Sequence, residues 1–254
     1  MKLSVIIPVY NEESTIGQVI DKVRLVDLPL EKEIIVVDDG STDHTAEVLI
    51  RKQQDVTFVH FSRINFGKGA AIRVGLTYVT GQVVIIQDAD LELDPNEYRL
   101  LLEPILAGRA NVVYGSRFLK ANPNIPRRTI LANKFLTWST NRLYGSRLTD
   151  METAYKAFRA EVIKGLNLTC HRFEFEPEVT AKLLRNRCHI TEVPISYNPR
   201  TQAEGKKIGW RDGLTAISTL LRHRLSEKKS GLLSLDTLSP PISLSDVESY
   251  RGTD

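Results

Sequence analysis

The sequence predicts an α/β protein built on a mainly parallel sheet flanked by helices. Two textures alternate through its first half. Short β-branched runs at Leu3–Ile7, Glu33–Asp38, Val56–Phe61, Val83–Gln87 and Asn111–Tyr114 are almost continuously apolar, as strands covered on both faces must be. Between them lie segments with helical spacing, and strands alternating with helices favour parallel pairing. Polar, acidic and glycine residues follow the strands, where open α/β sheets bind their ligands.

The elements follow in order. Ile16, Val19, Ile20 and Val23 share one helical face, as do Ala46, Leu49 and Ile50. Gly67-Lys68-Gly69 opens a further helix, while Asp94-Pro95-Asn96-Glu97 combines an N-cap Asp, a first-turn Pro and a Glu placed to reach back. The second half predicts helices over 129–144, 174–186 and 211–224, with a strand at Ile190–Tyr197. Ser, Leu, Pro and Asp without period dominate 226–254, which reads as a disordered tail. The expected organisation is one domain over 1–225, with halves at 1–118 and 119–225.

Composition narrows the classes. A chain of 254 residues that is 42% hydrophobic can bury a sizeable core, and a net charge of +3 is too small to imply nucleic acid. Cys170 and Cys188 have neither metal-site spacing nor the density of a disulfide framework. They point to a reducing, cytoplasmic setting. No apolar run approaches the length of a membrane span, and no leader pattern precedes the first strand. The expectation is a soluble protein, peripheral at most.

Four clusters fall after strands: Pro8-Val9-Tyr10-Asn11-Glu12, Asp38-Asp39-Gly40-Ser41, Asp88-Ala89-Asp90-Leu91-Glu92 and Gly115-Ser116-Arg117. In an extended turn Asp88 and Asp90 aim two carboxylates at one point. Mg²⁺ takes such oxygen ligands together with substrate phosphates. Alone, Asp-X-Asp is more readily a turn with capping aspartates; its place after a buried strand, beside the other clusters, favours the metal reading. The backbone and Lys68 at Gly67-Lys68-Gly69 can approach a phosphate, though the spacing is not that of a P-loop. Arg117, Arg127, Arg128, Arg200, Lys206 and Lys207 read as loop cations suited to phosphate oxygens. His171, although close to several acids, reads as structural or solvated.

Together the pieces "LSVIIPVYNE", "IIVVDDGSTDHT", "NFGKGAAIRVG", "IIQDADLELDP", "VVYGSRF", "LTDMETAYKAFR", "RFEFEPEV" and "EVPISYNPRTQAEGKKIGW" resemble the family-two inverting glycosyltransferases of the Rossmann-like GT-A fold. The likeness is greatest to the dolichol-phosphate mannose synthase group and its bacterial polyprenyl-phosphate relatives, and runs in order from residue 3 to about 213. It implies that Pro8, Tyr10, Glu12, Val37 and Asp39 hold the nucleobase and ribose. It implies that Asp88, Ala89 and Asp90 carry a metal (Mg²⁺ or Mn²⁺) and the diphosphate, with Glu92 as a further metal contact. Arg117, Arg200 and Lys206 would bind the diphosphate or close a loop over it. The implied reaction moves a hexose, mannose or glucose, from a GDP- or UDP-sugar to a polyprenyl or dolichyl phosphate.

A phosphate acceptor needs no base, because near neutral pH it is already largely a dianion. Arg127-Arg128 is the expected acceptor clamp. Asp150 is the candidate base for a hydroxyl acceptor, or else a cap on the segment after it. Two other readings stand beside this one: a transferase for a soluble glycan or small molecule, and a catalytically silent nucleotide-sugar binding protein. The basic stretch 205–229, with Trp210 and the stripe Leu214, Ile217, Leu220 and Leu221, either meets a membrane surface or packs on the domain. A membrane-anchored partner is the other route to a lipid acceptor.

Overall fold

The computed structural model describes residues 1–172, 174–200 and 210–226. Seven strands form one sheet: β1 (Lys2–Val9), β2 (Glu31–Asp38), β3 (Phe58–Phe61), β4 (Val83–Ile86), β5 (Val112–Ser116), β6 (Lys156–Arg159) and β7 (Thr191–Pro194). The spatial order is β3-β2-β1-β4-β6-β5-β7. Strands β1 to β4 are parallel to their neighbours in that half, with Val5 opposite Ile34 on one side and Ile85 on the other. β5 and β7 are also parallel, while β6 runs antiparallel between β4 and β5. The sheet is therefore mainly parallel, as expected.

Helices cover both faces: α1 (Ile16–Leu25), α2 (Thr45–Arg51), α3 (Lys68–Tyr78), α4 (Tyr98–Leu106), α5 (Arg127–Tyr144), α6 (Ala160–Gly165), α7 (Phe175–Arg185) and α8 (Trp210–Leu225). Alternation along each strand divides the core. Leu3, Val5 and Ile7 pack with Val19, Ile20, Leu101 and Leu102 on one face. Ile6, Ile35 and Val37 pack with Ile72, Val162, Val179 and Leu220 on the other. This double covering explains why the strands lack a polar face.

Strand β6 is absent from the sequence reading. Its four residues, Lys156-Ala157-Phe158-Arg159, begin and end on a charge, yet all are buried. Lys156 Nζ donates to the carbonyls of Met151 and Thr153 and lies 4.1 Å from the Tyr114 ring centroid. Those partners make an interior ammonium tolerable, and no local pattern announces them.

Helix α8 settles part of the question left open for its stripe. Leu220 is fully buried and Ile217 packs partly against the same core, whereas Leu214 and Leu221 remain exposed. Tyr144 Oη donates to the Leu220 carbonyl at 2.7 Å, tying α8 to α5. Lys206, Lys207 and, apart from Ser226, the predicted tail lie outside the described residues.

Candidate active site

The four clusters do converge on the carboxyl ends of β1, β2, β4 and β5. After β1, Asn11 takes a left-handed φ of 53°, which Asn tolerates better than most residues. Its backbone N–H donates to Ser41 Oγ at 3.0 Å and its Oδ1 accepts from Thr42 N at 2.8 Å. This turn delivers Glu12, 8% exposed, whose own N–H donates to Thr45 Oγ1. After β2, Asp38 accepts from Ser41 N, and Asp39 accepts from the backbone N–H groups of Phe66 and Gly67 at 3.0 and 2.6 Å. Gly67 holds φ 101°, and a Cβ there would stand 2.5 Å from the His171 carbonyl oxygen. Asp39 thus braces the loop that leads into α3.

After β4 the chain turns sharply. Lys68 Nζ, the first side chain of α3, lies 2.7 Å from Asp88 Oδ1 and 2.9 Å from Glu176 Oε1 of α7. Burial opposes its charge, but those two carboxylates outweigh burial and hold the ammonium protonated. Asp90 Oδ2 meets Arg200 Nη2 at 3.0 Å, and Arg200 Nη1 reaches Glu12 at 2.9 Å. Glu92 accepts from Arg200 N at 2.8 Å and from Tyr197 Oη at 2.7 Å. One arginine therefore joins Glu12 to Asp90 and Glu92, which lie far from it in sequence. Burial raises the Asp90 carboxyl, the like charges of Asp88 and Glu92 raise it further, and Arg200 opposes them.

After β5, Arg117 is 8% exposed. Its Nε and Nη2 both lie 2.7 Å from the two carboxylate oxygens of Asp150, whose Oδ2 also accepts from Arg117 N. The guanidinium sits 5.2 Å from the Tyr197 ring centroid.

Several expected roles look different in this geometry. Val37 is fully buried in the core, and Ala89 is 4% exposed in the opposite core. Pro8 is buried within β1, and Tyr10 stands half-buried just beyond it. Arg127 and Arg128 are exposed in the first turn of α5 instead of a loop, because Pro126 serves as that helix's N-cap. Lys68 spends its ammonium on two carboxylates, and Asp150 is fully buried with both oxygens committed to Arg117.

Three residues of this neighbourhood escaped the sequence reading. Glu176 partners Lys68, Tyr197 partners Glu92, and Glu152 lies half-buried near Asp150. Glu152 Oε1 has no hydrogen-bond partner among the described residues. Burial raises its carboxyl, and the Glu176 charge adds to that, while Lys156 and Arg117 pull the other way. The pieces "METAYK" and "RFEFEPEV" hold Glu152 and Glu176, but a carboxylate's partner across the fold leaves no trace in them.

Among the described residues, no group of three or more His, Cys, Asp or Glu side chains is arranged to hold a metal by itself. The residues do fit a hard cation shared with a ligand's phosphates. Asp88, Asp90 and Glu92 offer only oxygen donors, and Asp90 experiences the crowding of like charge that a divalent cation relieves.

The mainly parallel sheet, with acidic side chains and a bridging arginine gathered at its carboxyl edge, is that of a GT-A glycosyltransferase fold. Solved structures agree on that fold. The chain is similar to glucosyl-3-phosphoglycerate synthase from Mycobacterium tuberculosis crystallised with Mn²⁺, UDP and glucosyl-3-phosphoglycerate, at 21% identity and TM-score 0.69 over 90% of this chain and 81% of that one. The same enzyme with Mg²⁺ and UDP aligns at 23% identity and TM-score 0.67, over 90% and 81% of the two chains. The chain belongs to glycosyl transferase family 2, whose profile matches residues 4–166. It is 30% identical over 214 residues to the undecaprenyl-phosphate 4-deoxy-4-formamido-L-arabinose transferase of Salmonella choleraesuis (strain SC-B67), covering 81% of this chain. The Salmonella paratyphi B protein of that name matches equally. The alignment spans 62% of the length of those relatives. Among the described residues, no helix is long and apolar enough to cross a membrane.

Proposed function

We propose that this chain transfers a sugar from a nucleotide-diphosphate donor to a polyprenyl phosphate, with inversion at the anomeric carbon. A hexose, mannose or glucose, carried by GDP or UDP is the proposed donor. The observation that carries this reading is the convergence of Glu12, Asp88, Asp90, Glu92 and Arg200 at the sheet edge. Both relatives named above act, by name, on undecaprenyl phosphate, which supports a lipid phosphate acceptor.

In this reading Tyr10, Glu12 and the turn at Asn11 receive the nucleoside. Asp88, Asp90 and Glu92 would hold Mg²⁺ or Mn²⁺, which when bound neutralises a diphosphate leaving group. Arg200 satisfies Glu12 and Asp90, and its guanidinium fork suits a diphosphate oxygen equally well. The acceptor phosphate attacks in line as a dianion, so no side chain must remove a proton. Arg117 and Asp150 hold each other in place beside Tyr197 and shape the wall of the site. Repulsion between the two anions would be offset by the bound divalent cation together with the Arg200 fork.

The test is direct. The protein is incubated with GDP- and UDP-linked hexoses and pentoses, Mn²⁺ or Mg²⁺, and polyprenyl phosphates, and products are read by mass spectrometry. Transfer to the lipid phosphate is expected. Excess EDTA or Asp90→Asn should lower it by about a hundredfold or more without changing the melting temperature. Full turnover in EDTA, or glycosylation of a soluble hydroxyl acceptor alone, would overturn the reading.

A further inference from the structure

Helix α5 carries an apolar stripe that the fold leaves uncovered. Leu131, Phe135 and Trp138 are 72%, 56% and 62% exposed, and their spacing of four and three residues puts them on one face. The Phe135 and Trp138 rings stack at 6.1 Å with planes 26° apart. The opposite face is used normally: Leu136, Thr137 and Thr140 are buried. Three large side chains in a row on a packed helix's outer face are more than scattered surface apolarity.

The charges on that face have one sign. Among the residues of α5, RRTILANKFLTWSTNRLY, there is no Asp or Glu. Arg127, Arg128, Lys134 and Arg142 are all exposed, and at 100° per residue they fall beside or in line with the apolar stripe. Arginines at both ends and a Lys on the flank frame the Leu-Phe-Trp centre. This face would repel a second copy of itself, because an isologous contact would oppose basic residues to basic residues. It matches a surface that is apolar below and anionic above.

We infer that the outer face of α5 docks on the anionic surface of a lipid bilayer, with Leu131, Phe135 and Trp138 entering the interfacial region and the basic side chains meeting lipid phosphates. Such a composition is that of helices that lie in the membrane plane. The placement also suits the site. Thr137 Oγ1 accepts from Met151 N at 3.1 Å, and Asn141 bonds both Leu148 N and Leu148 O. α5 is thereby fixed to the Leu148–Met151 stretch, which carries Asp150 and through it Arg117. A bilayer held against α5 would hold the mouth of the site at the lipid headgroups. This inference deepens the proposed function and rests on it for its purpose, though the binding itself does not require it.

The experiment separates the two. The full chain is floated with phosphatidylcholine vesicles, with and without phosphatidylglycerol, all free of polyprenyl phosphate. Binding is expected to the anionic vesicles and to fall in high salt. Phe135→Glu with Trp138→Glu should reduce partitioning about tenfold or more. The conservative pair Phe135→Trp with Trp138→Phe should retain it. Because both side chains are exposed, the Glu variants should keep their melting temperature and their transfer rate to a water-soluble short-chain phosphate. The inference is overturned if the wild type ignores anionic vesicles, if the Glu variants bind as well as wild type, or if they alter only self-association in sedimentation velocity. Loss of transfer to every acceptor with vesicle binding intact would count against the proposed function and leave the docking face standing.

Discussion

Asp150 and Arg117 form a bidentate pair in which the acid is fully buried and the base nearly so. A buried pair stabilises little as a whole, yet removing one partner strands the other charge. Asp150→Asn is therefore expected to lower stability by about 3–5 kcal/mol, measured by chemical denaturation. The double variant Arg117→Met with Asp150→Leu should lose much less than the sum of the singles, since it strands no charge. The same experiment decides what Asp150 does. A stability loss in Asp150→Asn marks a positioning residue. An unchanged stability with a collapsed rate and an altered pH–rate profile would mark a base. The sequence offered a base or a cap for Asp150 and not an arginine's partner, because a carboxylate reads the same until its neighbour is known.

At the level of elements, close approach of α3 to the sheet sets the geometry of the Lys68 corner. Gly75 lies on the buried face of α3, and a Cβ there would come within 2.6 Å of Ile6 Cγ2 on β1. Gly75→Ala gains helix propensity but forces α3 away from β1. The steric term should win, destabilising by about 1–3 kcal/mol. Because Lys68 begins the same helix and spans Asp88 and Glu176, the displacement should also raise the donor KM more than it lowers kcat. A melting curve and donor titration check both. An increase in melting temperature would mean that α3 has room to shift. Helical periodicity announced α1 well: Ile16, Val19, Ile20 and Val23 are all buried. It could not announce β6, whose charged ends look like loop and whose burial depends on the strands on either side.

For the molecule as a whole, stability in acid rests on carboxylates tied deep in the fold. Burial opposes ionisation of Glu178, but hydrogen bonds from Cys170, Lys182 and Thr169 outweigh it and bring the carboxyl to about 2. Burial likewise opposes Glu33, and Ser4, Thr80 and Lys2 bring it to about 2. Both folded-state values lie below the ordinary 4.5. Each group's contribution is thus present above that value and is lost as pH falls through the range from 4.5 to about 2. As these two carboxylates take up protons, the denaturant midpoint should fall steeply below about pH 5. Glu178→Gln should start lower near neutrality and show a shallower acid limb. An acid limb identical to wild type would remove Glu178 from this account.

The sequence by itself determined the parallel half of the sheet, the covered face of α1 and the four clusters that collect at one edge, whereas in α2 Leu49 is buried but Ile50, read onto the same face, is 60% exposed. Those features are local: a β-branched run, a 3.6-residue period and a turn after a strand each act over a few residues. Only the tertiary structure decided which charges meet. Arg200 reaches Glu12 across 188 residues, and Lys68 reaches Glu176 across 108. It also decided that Arg117 answers to Asp150, that the buried Oε1 of Glu152 has no partner among the described residues, and that Leu131, Phe135 and Trp138 face outward. A charged or aromatic side chain reads the same in sequence whether it is paired, buried or exposed. Its energy, and so its role, depends on what the chain brings to it from far away.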